Sequence, residues 1–361
     1  MNKTRLIQFA LLSATSQAWA LPAYTITDLG TLGGSLSAAM DINARGEVVG
    51  RSYTASGLTH AFLYSNGLMN DLGAAGGSSY SEGINDHGQI VGSSGSRAFL
   101  YDNGVMTEIG TLGGSSSSAQ SINNAGQIVG YSDTGRGYNR AFSYANGVMT
   151  DIGTLGGANS AAFDINASGQ IVGGSSTAAS AGHSHAFLYD NGTMTDLGTL
   201  GGGRSDARGV NNVGQIVGQA WTAQGNGRAF LYTNGIMMDL GTLGGNENAS
   251  YSYATSINNR GQVVGTSWTN GSDPHAFLFD DDQMIDLNSL VAAGARWTSL
   301  IEVVINDAGQ IAGVGINHGL RHAFIMSPVL IPEPASAFLI SLGLAVLGIG
   351  QWSKKRLPMR V

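Results

Sequence analysis

Short alternations of apolar and polar residues, separated by turn sequences, run through most of this chain. In the stretch RAFLYDNGVMTEIG, alternation places Arg97, Phe99 and Tyr101 on one face of a predicted strand. Asn103 and Gly104 follow as the two-residue turn that hairpins favour most strongly. No stretch of the middle region has a sustained helical period, so the pattern predicts an all-β fold.

The stretch INNAGQIVG, residues 122–130, predicts a second kind of hairpin. Asn123 stands first and Gly126 stands fourth, which is the arrangement that a type I turn prefers. Gly126 can adopt a positive φ because it has no Cβ atom. The preceding strand is therefore expected to end at Ile122, and the next strand to run through Ile128.

Three phrases recur seven times in a fixed order, at intervals of 38 to 48 residues for the first of them. The asparagine of the INN phrase stands at Asn43, Asn85, Asn123, Asn166, Asn211, Asn258 and Asn306. The HAF phrase begins at His60, Arg97, Arg140, His185, Arg228, His275 and His322. The DLGTLGG phrase begins at Asp28, Asp71, Glu108, Asp151, Asp196, Asp239 and Asp286. Four short strands in each unit are typical of one β-propeller blade.

The two ends of the repeat region complement each other. The last unit has its HAF strand, His322–Met326, but no following strand, whereas the chain begins with a spare strand at Tyr24–Leu29. Pairing of these strands would remove an open sheet edge and bring Asp28 beside His322. A linear solenoid is the rival architecture, but solenoids usually carry distinct polar caps. The sequence thus predicts a seven-bladed β-propeller over residues 21–327, closed by its N-terminal strand.

The first 20 residues have the parts of a secretory signal peptide. Two basic residues precede an apolar run, and Ala18 and Ala20 form an A-x-A cleavage site. Residues 1–20 are therefore predicted to form a signal helix that is removed, so that the mature chain starts at Leu21.

Residues 328–361 are predicted to form a separate tail with a transmembrane helix. Pro332, Glu333 and Pro334 precede an apolar run of about 18 residues, which is near the lower limit for a spanning helix. A basic cluster follows and should stay on the cytoplasmic side. The cluster comprises Lys354, Lys355 and Arg356.

The chain resembles the HAF-family extracellular repeat proteins of bacteria, named for the phrase His60-Ala61-Phe62, over about residues 24–326. Its tail resembles the PEP-CTERM sorting signal. The resemblance implies that an exosortase-type enzyme removes the tail, so the inner membrane would anchor the protein only transiently. It also implies a Gram-negative host that makes exopolysaccharide and biofilm, with the protein at the cell surface or in the extracellular matrix. It implies no defined activity and transfers no catalytic residue.

Charge and cysteine content exclude several classes of partner. Between the two terminal segments the chain has 11 basic and 23 acidic residues, and therefore a net charge of −12. This charge argues against nucleic acid and anionic lipid headgroups as partners. Because the chain has no cysteine, it has no disulfide, thiolate metal site or cysteine nucleophile.

Each HAF phrase begins with a basic or imidazole residue, and an acid follows 11 positions later in six of the seven repeats. A histidine beside an aspartate can act as a general base, but arginine stands at the same position in three repeats and cannot. We interpret the pairs as contacts that stabilise each blade. They are His60–Asp71, Arg97–Glu108, Arg140–Asp151, His185–Asp196, Arg228–Asp239 and His275–Asp286, with His322–Asp28 expected on closure.

Other candidates for chemistry are weak. His183 and His185 share one predicted strand face, which permits a metal site, yet His185 already belongs to the repeat. The acidic run at 280–282 lacks the calcium-loop pattern and replaces the Asn-Gly turn of other repeats. We therefore predict no metal, no cofactor and no catalytic cluster.

Four aromatic residues near the INN strands could stack on sugar rings, with packing between blades as the alternative; they are Trp221, Trp268, Tyr131 and Tyr53. The leading hypothesis is an exported, surface-sorted, non-catalytic propeller that acts as a binding or scaffold protein of the exopolysaccharide matrix. The alternative is a secreted enzyme that degrades or binds polysaccharide. That alternative requires acids, or a histidine and a tyrosine, that are unique to one face. We expect function to reside in the variable loops.

Overall fold

The computed structural model describes residues 23–73, 77–178, 183–244, 251–269, 273–291 and 296–329. Within these ranges the chain consists of strands and their connections, with one 3-10 helix at Leu287–Leu290. The predicted all-β fold is confirmed. The predicted cleavage site at Ala18 and Ala20, the sorting motif and the basic cluster of the tail lie outside the described residues.

The strands form seven antiparallel four-stranded groups, named sheets I to VII. The first strand, β1 (Tyr24–Asp28), pairs with the last strand and therefore belongs to sheet VII. Sheet I contains β2 (Gly33–Ile42), β3 (Val48–Thr54), β4 (Thr59–Ser65) and β5 (Leu68–Asp71). Sheet II contains β6 (Ser79–Ile84), β7 (Ile90–Ser94), β8 (Arg97–Asp102) and β9 (Val105–Glu108). Sheet III contains β10 (Ser117–Ile122), β11 (Ile128–Asp133), β12 (Asn139–Ala145) and β13 (Val148–Asp151).

The remaining sheets follow the same order. Sheet IV contains β14 (Gly156–Ile165), β15 (Ile171–Thr177), β16 (Ser184–Asp190) and β17 (Thr193–Asp196). Sheet V contains β18 (Gly201–Val210), β19 (Ile216–Thr222), β20 (Gly227–Thr233) and β21 (Ile236–Asp239). Sheet VI contains β22 (Ser252–Ile257), β23 (Val263–Trp268), β24 (Pro274–Asp280) and β25 (Gln283–Asp286). Sheet VII contains β26 (Trp297–Ile305), β27 (Ile311–Asn317), β28 (Leu320–Pro328) and β1.

Both predicted hairpin turns are confirmed. Between β8 and β9, Asn103 and Gly104 have φ values of 48° and 85°, and Phe99 lies opposite Glu108. Positive φ at both central residues gives the hairpin the twist that its strands require. In the INN turn, the Gly126 N–H donates to the Asn123 carbonyl over 3.0 Å, and Gly126 has a φ of 77°.

The buried asparagine of the INN phrase links each sheet to the next. The Asn123 carboxamide donates through Nδ2 to the backbone carbonyl of Asn166 in sheet IV over 3.1 Å. The equivalent bond exists at all seven asparagines, and the bond from Asn306 in sheet VII returns to the carbonyl of Asn43 in sheet I. We call these seven bonds, which measure 2.9–3.2 Å, the asparagine circuit.

Each asparagine of this circuit is fully used. The Asn123 Oδ1 atom accepts from the backbone N–H groups of Ala125 and Gln127, and its Nδ2 also donates to the Gln127 side chain. The circuit asparagines are only 3–6% exposed. A buried polar group is tolerated when its donors and acceptors are paired in this way. The repeated phrase therefore builds the turn and also joins neighbouring sheets.

The hydrophobic core lies between the sheets rather than inside any one of them. Val91 and Ala98 of sheet II pack against Ile122, Ile128 and Phe142 of sheet III. Because every sheet is covered on both faces, adjacent residues of the HAF strand are both buried. The phenylalanine of this strand is 0% exposed in all seven sheets, at Phe62, Phe99, Phe142, Phe187, Phe230, Phe277 and Phe324.

The N-terminal strand completes sheet VII. β1 pairs antiparallel with β28, and Asp28 lies opposite Phe324 in the register that Glu108 has with Phe99. The His322 Nδ1 atom lies 2.9 Å from Asp28 Oδ2, although 294 residues separate them in sequence. The prediction that Asp28 lies beside His322 is confirmed.

Sheets VII and I also contact each other directly. One parallel bridge joins Leu36 of β2 to Arg321 of β28, and the Ala323 N–H donates to the Ser37 hydroxyl over 2.8 Å. A hydrophobic cluster contains Ala323 of sheet VII together with Phe62 of sheet I. No single sheet closes on itself within the described ranges. The contacts instead run from sheet to sheet and return from sheet VII to sheet I.

We predict that Asn166→Ala lowers the free energy of unfolding by about 2 kcal/mol, because it leaves buried backbone donors and the Asn211 carbonyl unpaired. Asn70→Ala, at an exposed position of β5, should change it by less than about 0.5 kcal/mol. Urea denaturation of both variants measures the difference. Equal effects would contradict a stabilising role for the asparagine circuit.

Candidate functional site

The HAF strands place most of the predicted pairs at bonding distance. The imidazole of His60, His185, His275 or His322 lies 2.8–2.9 Å from its aspartate in four sheets. In sheet V, Arg228 Nε lies 3.9 Å from Asp239 Oδ2. The corresponding pairs in sheets II and III do not reach this distance. No ion pair within 4.0 Å joins Arg97 to Glu108 or Arg140 to Asp151, residues that the structure fully describes.

The histidine pairs share one geometry. The two residues of a pair are diagonal neighbours on adjacent strands, at a separation that a short imidazole spans. The aspartate also accepts the N–H of the glycine two residues later, as Asp71 does from Gly73 over 2.7 Å, and this bond holds its carboxylate in place. Within the part of the chain that is described, the His–Asp pairs are regular hairpin contacts.

The other sequence candidates have separate partners. His183 Nδ1 accepts from Arg204 Nε over 2.6 Å, whereas His185 contacts Asp196. Among the described residues, no group of three or more His, Asp or Glu side chains is arranged to hold a metal. At residues 280–282 the chain makes a turn in which Asp281 and Asp282 have φ values of 46° and 58°.

The aromatic candidates divide into two groups. Trp221 and Trp268 pack edge-on against Tyr251, with ring centres 6.3 and 4.9 Å apart. Tyr131 instead lines a cavity, and Tyr53 is partly exposed. The Trp221 contact joins sheets V and VI, the Trp268 contact lies within sheet VI, and Tyr131 is left to line the cavity.

No helix in the described ranges has the length and apolar character that crossing a membrane requires.

A β-bulge in the first strand of every sheet marks the positions that face the central axis. First strands of neighbouring sheets lie side by side, and the register with the second strand shifts at the same place in each. Bulges redirect a side chain out of the regular alternation. The side chains at the bulges line one axial cavity of ≈ 240 Å³. They are Met40, Glu82, Gln120, Phe163, Arg208, Thr255 and Glu302.

The residue type at the bulge changes from sheet to sheet, with glutamate occurring twice, while the residues around it repeat. Six of the bulges follow a small residue such as Ala207, which is buried between sheets. In sheet VII the bulge is wider, and Glu302 reaches the axis with a φ of 52°, which is uncommon for a residue with a Cβ atom. The sequence interpretation placed function in variable loops and missed this ring. The sequence feature that could have revealed this ring is a single variable position within an otherwise repeated strand.

Two further cavities open beside the axial cavity, at the opposite end of the first strands from the INN turns. The mouth cavity, of ≈ 580 Å³, is lined in part by Tyr131, Asn159, Phe163, Asp206 and Arg208. The side cavity, of ≈ 330 Å³, contains Asp206 and Arg208 as well. Its other lining residues are Gln219, Tyr251, Tyr253 and Thr255. Arg208 lines all three cavities and therefore stands where they meet.

The side chains at this junction are held in place by their neighbours. The Arg208 guanidinium carbon lies 4.1 Å from the centre of the Phe163 ring, a cation–π contact across two sheets. The Asp206 Oδ1 atom accepts from the Ser184 hydroxyl over 2.8 Å. Gly174 allows this approach, because a Cβ atom there would lie 2.2 Å from Asp206 Oδ1.

Glu82 and Asp206, near the axis, have raised pKa values. Burial raises the pKa of Glu82 to about 7, although the Arg51 guanidinium nearby lowers it. Burial also raises the pKa of Asp206, against the opposing effects of Ser184 and Arg208. Raised pKa values of this kind are a feature of functional sites, but structural carboxyls share it.

The opposite end of the axis is polar and structural. A cavity of ≈ 210 Å³ there is lined by the INN turns of all seven sheets. Asp41 Oδ2 accepts from the Ile84 N–H of the next sheet over 2.8 Å, and Asp164 Oδ2 accepts from the Val210 N–H in the same way. Burial raises the pKa of Asp41 to about 7 and that of Asp164 to about 6. These two carboxyls reinforce contacts between sheets.

Comparisons with known proteins place the fold in a class. No family model and no curated protein sequence matches the chain. A puromycin-hydrolysing peptidase from Mycobacterium tuberculosis superposes with a TM-score of 0.57 at 10% identity, over 86% of this chain and 54% of that one. The chain thus spans about half the length of that peptidase. At a sequence identity this low, the match is evidence about the fold alone. Together with repeated four-stranded sheets around an axis, this likeness supports a β-propeller scaffold.

Weaker structural matches exist. TolB from Acinetobacter baumannii superposes with a TM-score of 0.44 at 13% identity, over 81% of this chain and 64% of that one. A gluconolactonase from Xanthomonas campestris superposes with a TM-score of 0.41 at 11% identity, over 84% of this chain and all of that one.

We predict that the melting temperature falls as the pH rises from 5 to 8. Glu82, Asp41 and Asp164 have raised pKa values in the folded protein, so the folded state binds more protons than the unfolded state over this range. Their stabilising contribution is complete below about pH 4 and is lost as the pH passes through about 6 to 7.

Thermal melts of Glu82→Gln across this pH range test the assignment, because the variant should lose part of the decrease. Glu108→Gln, which alters an exposed glutamate of β9, is the matched control and should show the full decrease in melting temperature. Identical pH profiles for Glu82→Gln and the unaltered protein would contradict the assignment.

Proposed function

We propose that this chain is a closed seven-bladed β-propeller that binds extracellular saccharide at the mouth cavity. The mouth cavity itself carries the proposal, since it combines aromatic faces with amide and carboxylate groups and its volume of ≈ 580 Å³ is usual for a ligand site. Tyr131 and Phe163 can cover the apolar faces of sugar rings. Asn139, Asn159 and Asp206 can bond their hydroxyl groups.

The rigid frame around the cavity favours binding. The lining residues come from strands of sheets III, IV and V, whose backbones are fixed by the asparagine circuit and by the cores between sheets. A preformed site loses little conformational entropy when a ligand binds. This arrangement supports the role of a binding or scaffold protein in an exopolysaccharide matrix, which the resemblance of the sequence suggests.

We expect a glycan array followed by calorimetry to identify at least one saccharide that binds the purified protein. Tyr131→Ala should weaken binding about tenfold or more, because it removes a stacking face of the cavity. Tyr138→Ala is the matched control, since Tyr138 is 45% exposed and does not line the cavity. Absence of binding to any saccharide, or equal loss in both variants, would refute the proposed site.

A second candidate function is hydrolysis or elimination of a polysaccharide chain. The axial cavity supports it, because Glu82 and Glu302 line it together and neither belongs to the repeated pairs. A carboxyl group with a raised pKa can donate a proton to a leaving group. Measuring new chain ends after incubation with each bound polysaccharide separates the two functions. Products that vanish in Glu82→Gln would favour the enzyme.

We also propose that the protein is exported and sorted to the cell surface, on the strength of its two terminal segments. Mass spectrometry of the protein from its native host should show a chain that starts at Leu21 and lacks Lys354, Lys355 and Arg356. The tail would be removed by an exosortase-type enzyme. An intact basic cluster in the mature protein would refute the sorting proposal.

A further inference from the structure

The guanidinium of Arg208 is the one positively charged group among the residues that line the three described cavities. Binding of neutral sugars does not require such a charge. It stands at the bulge of β18, lines all three cavities and is exposed to them. The Phe163 ring supports its flat face at 4.1 Å. Among the described residues, no carboxylate lies within ion-pair distance of it and no acceptor bonds to its N–H groups.

Some arginines of the chain are held by a polar partner. Arg45 contacts Glu47 over 2.6 Å, and Arg204, on the same strand as Arg208, donates to His183. Arg208 is close enough to Asp206 to oppose electrostatically the rise in the pKa of Asp206. The Asp206 Oδ1 atom, however, accepts a hydrogen bond from the Ser184 hydroxyl. Arg208 is therefore oriented by a ring and not by an anion, which leaves its planar donor fork directed at the cavities.

We propose that Arg208 binds the carboxylate of an acidic sugar residue within an otherwise neutral saccharide. A guanidinium presents paired N–H donors that match the two oxygens of a carboxylate. The contact with Phe163 fixes the plane of the fork, so less conformational freedom is lost on binding. The inference rests on the proposed saccharide-binding function and specifies the chemical class of its ligand.

The surrounding charge limits the ligand to a sparse distribution of acidic groups. Glu82 and Glu302 share the axial cavity with Arg208, and the region between the terminal segments carries a net charge of −12. A second ligand carboxylate next to the one bound by Arg208 would be repelled by Glu82 and Glu302. A ligand with many closely spaced negative charges would also be repelled at longer range by the net charge of the protein. Tyr131, Asn139 and Asn159 of the mouth cavity are left to contact the neutral sugar units.

The test compares xylotetraose with the same tetraose bearing one glucuronic acid residue, by calorimetry on the full mature protein. We expect the acidic form to bind about 10-fold to 100-fold more tightly, the range that charge-assisted hydrogen bonds supply. Arg208→Gln should abolish this preference, which is read as the ratio of the two affinities measured on the same variant. Arg204→Gln, on the same strand but bonded to His183, is the matched control and should retain the preference.

The outcomes separate the two proposals. Equal binding of both tetraoses, or a preference that survives in Arg208→Gln, would overturn the role of Arg208 while leaving saccharide binding intact. Failure of the protein to bind any saccharide of the glycan array would overturn both. Polygalacturonate binding more tightly than the singly charged tetraose would contradict the sparse-charge requirement. Thermal melts establish that each variant is folded before its affinity is interpreted.

Discussion

The hydrogen bond from one buried asparagine carboxamide to the backbone carbonyl of the next sheet is the interaction on which the architecture depends. Each four-stranded sheet has two apolar faces and must be covered on both, yet apolar packing alone is non-directional. The asparagine circuit adds direction, because its bonds of 2.9–3.2 Å require each INN turn to sit at one position against its neighbour. The seventh bond, from Asn306 to the Asn43 carbonyl, joins the last INN turn to the first.

The same constraint explains where the sequence is uniform and where it varies. Residues that point between sheets, such as Phe142 and Ala141, fill a space bounded by two neighbours, so only small changes in volume are tolerated. Residues at the bulges line the axial cavity. The frame therefore accepts charged, amide and apolar side chains at these positions.

Several features of the site follow from this placement. Glu82 and Glu302 belong to sheets that are not adjacent, and Arg208 lies on a third. These three side chains line one cavity, and among the described residues no ion pair joins them. The axial end formed by the INN turns is occupied by structural bonds, and the other end carries the larger cavities. The structural bonds and the larger cavities thus lie at opposite ends of the axis.

The sequence by itself determined the hairpins, the repeat, the pairing of β1 with β28 and the contact of Asp28 with His322, because turn chemistry and strand register are local or periodic properties. It did not determine which repeated pairs reach bonding distance, since the same residue type, arginine, lies within 4.0 Å of its acid in sheet V but not in sheets II and III. It also could not place Arg208 beside Phe163. That contact joins bulges in two sheets, and only the tertiary arrangement of sheets around an axis directs both side chains into one cavity.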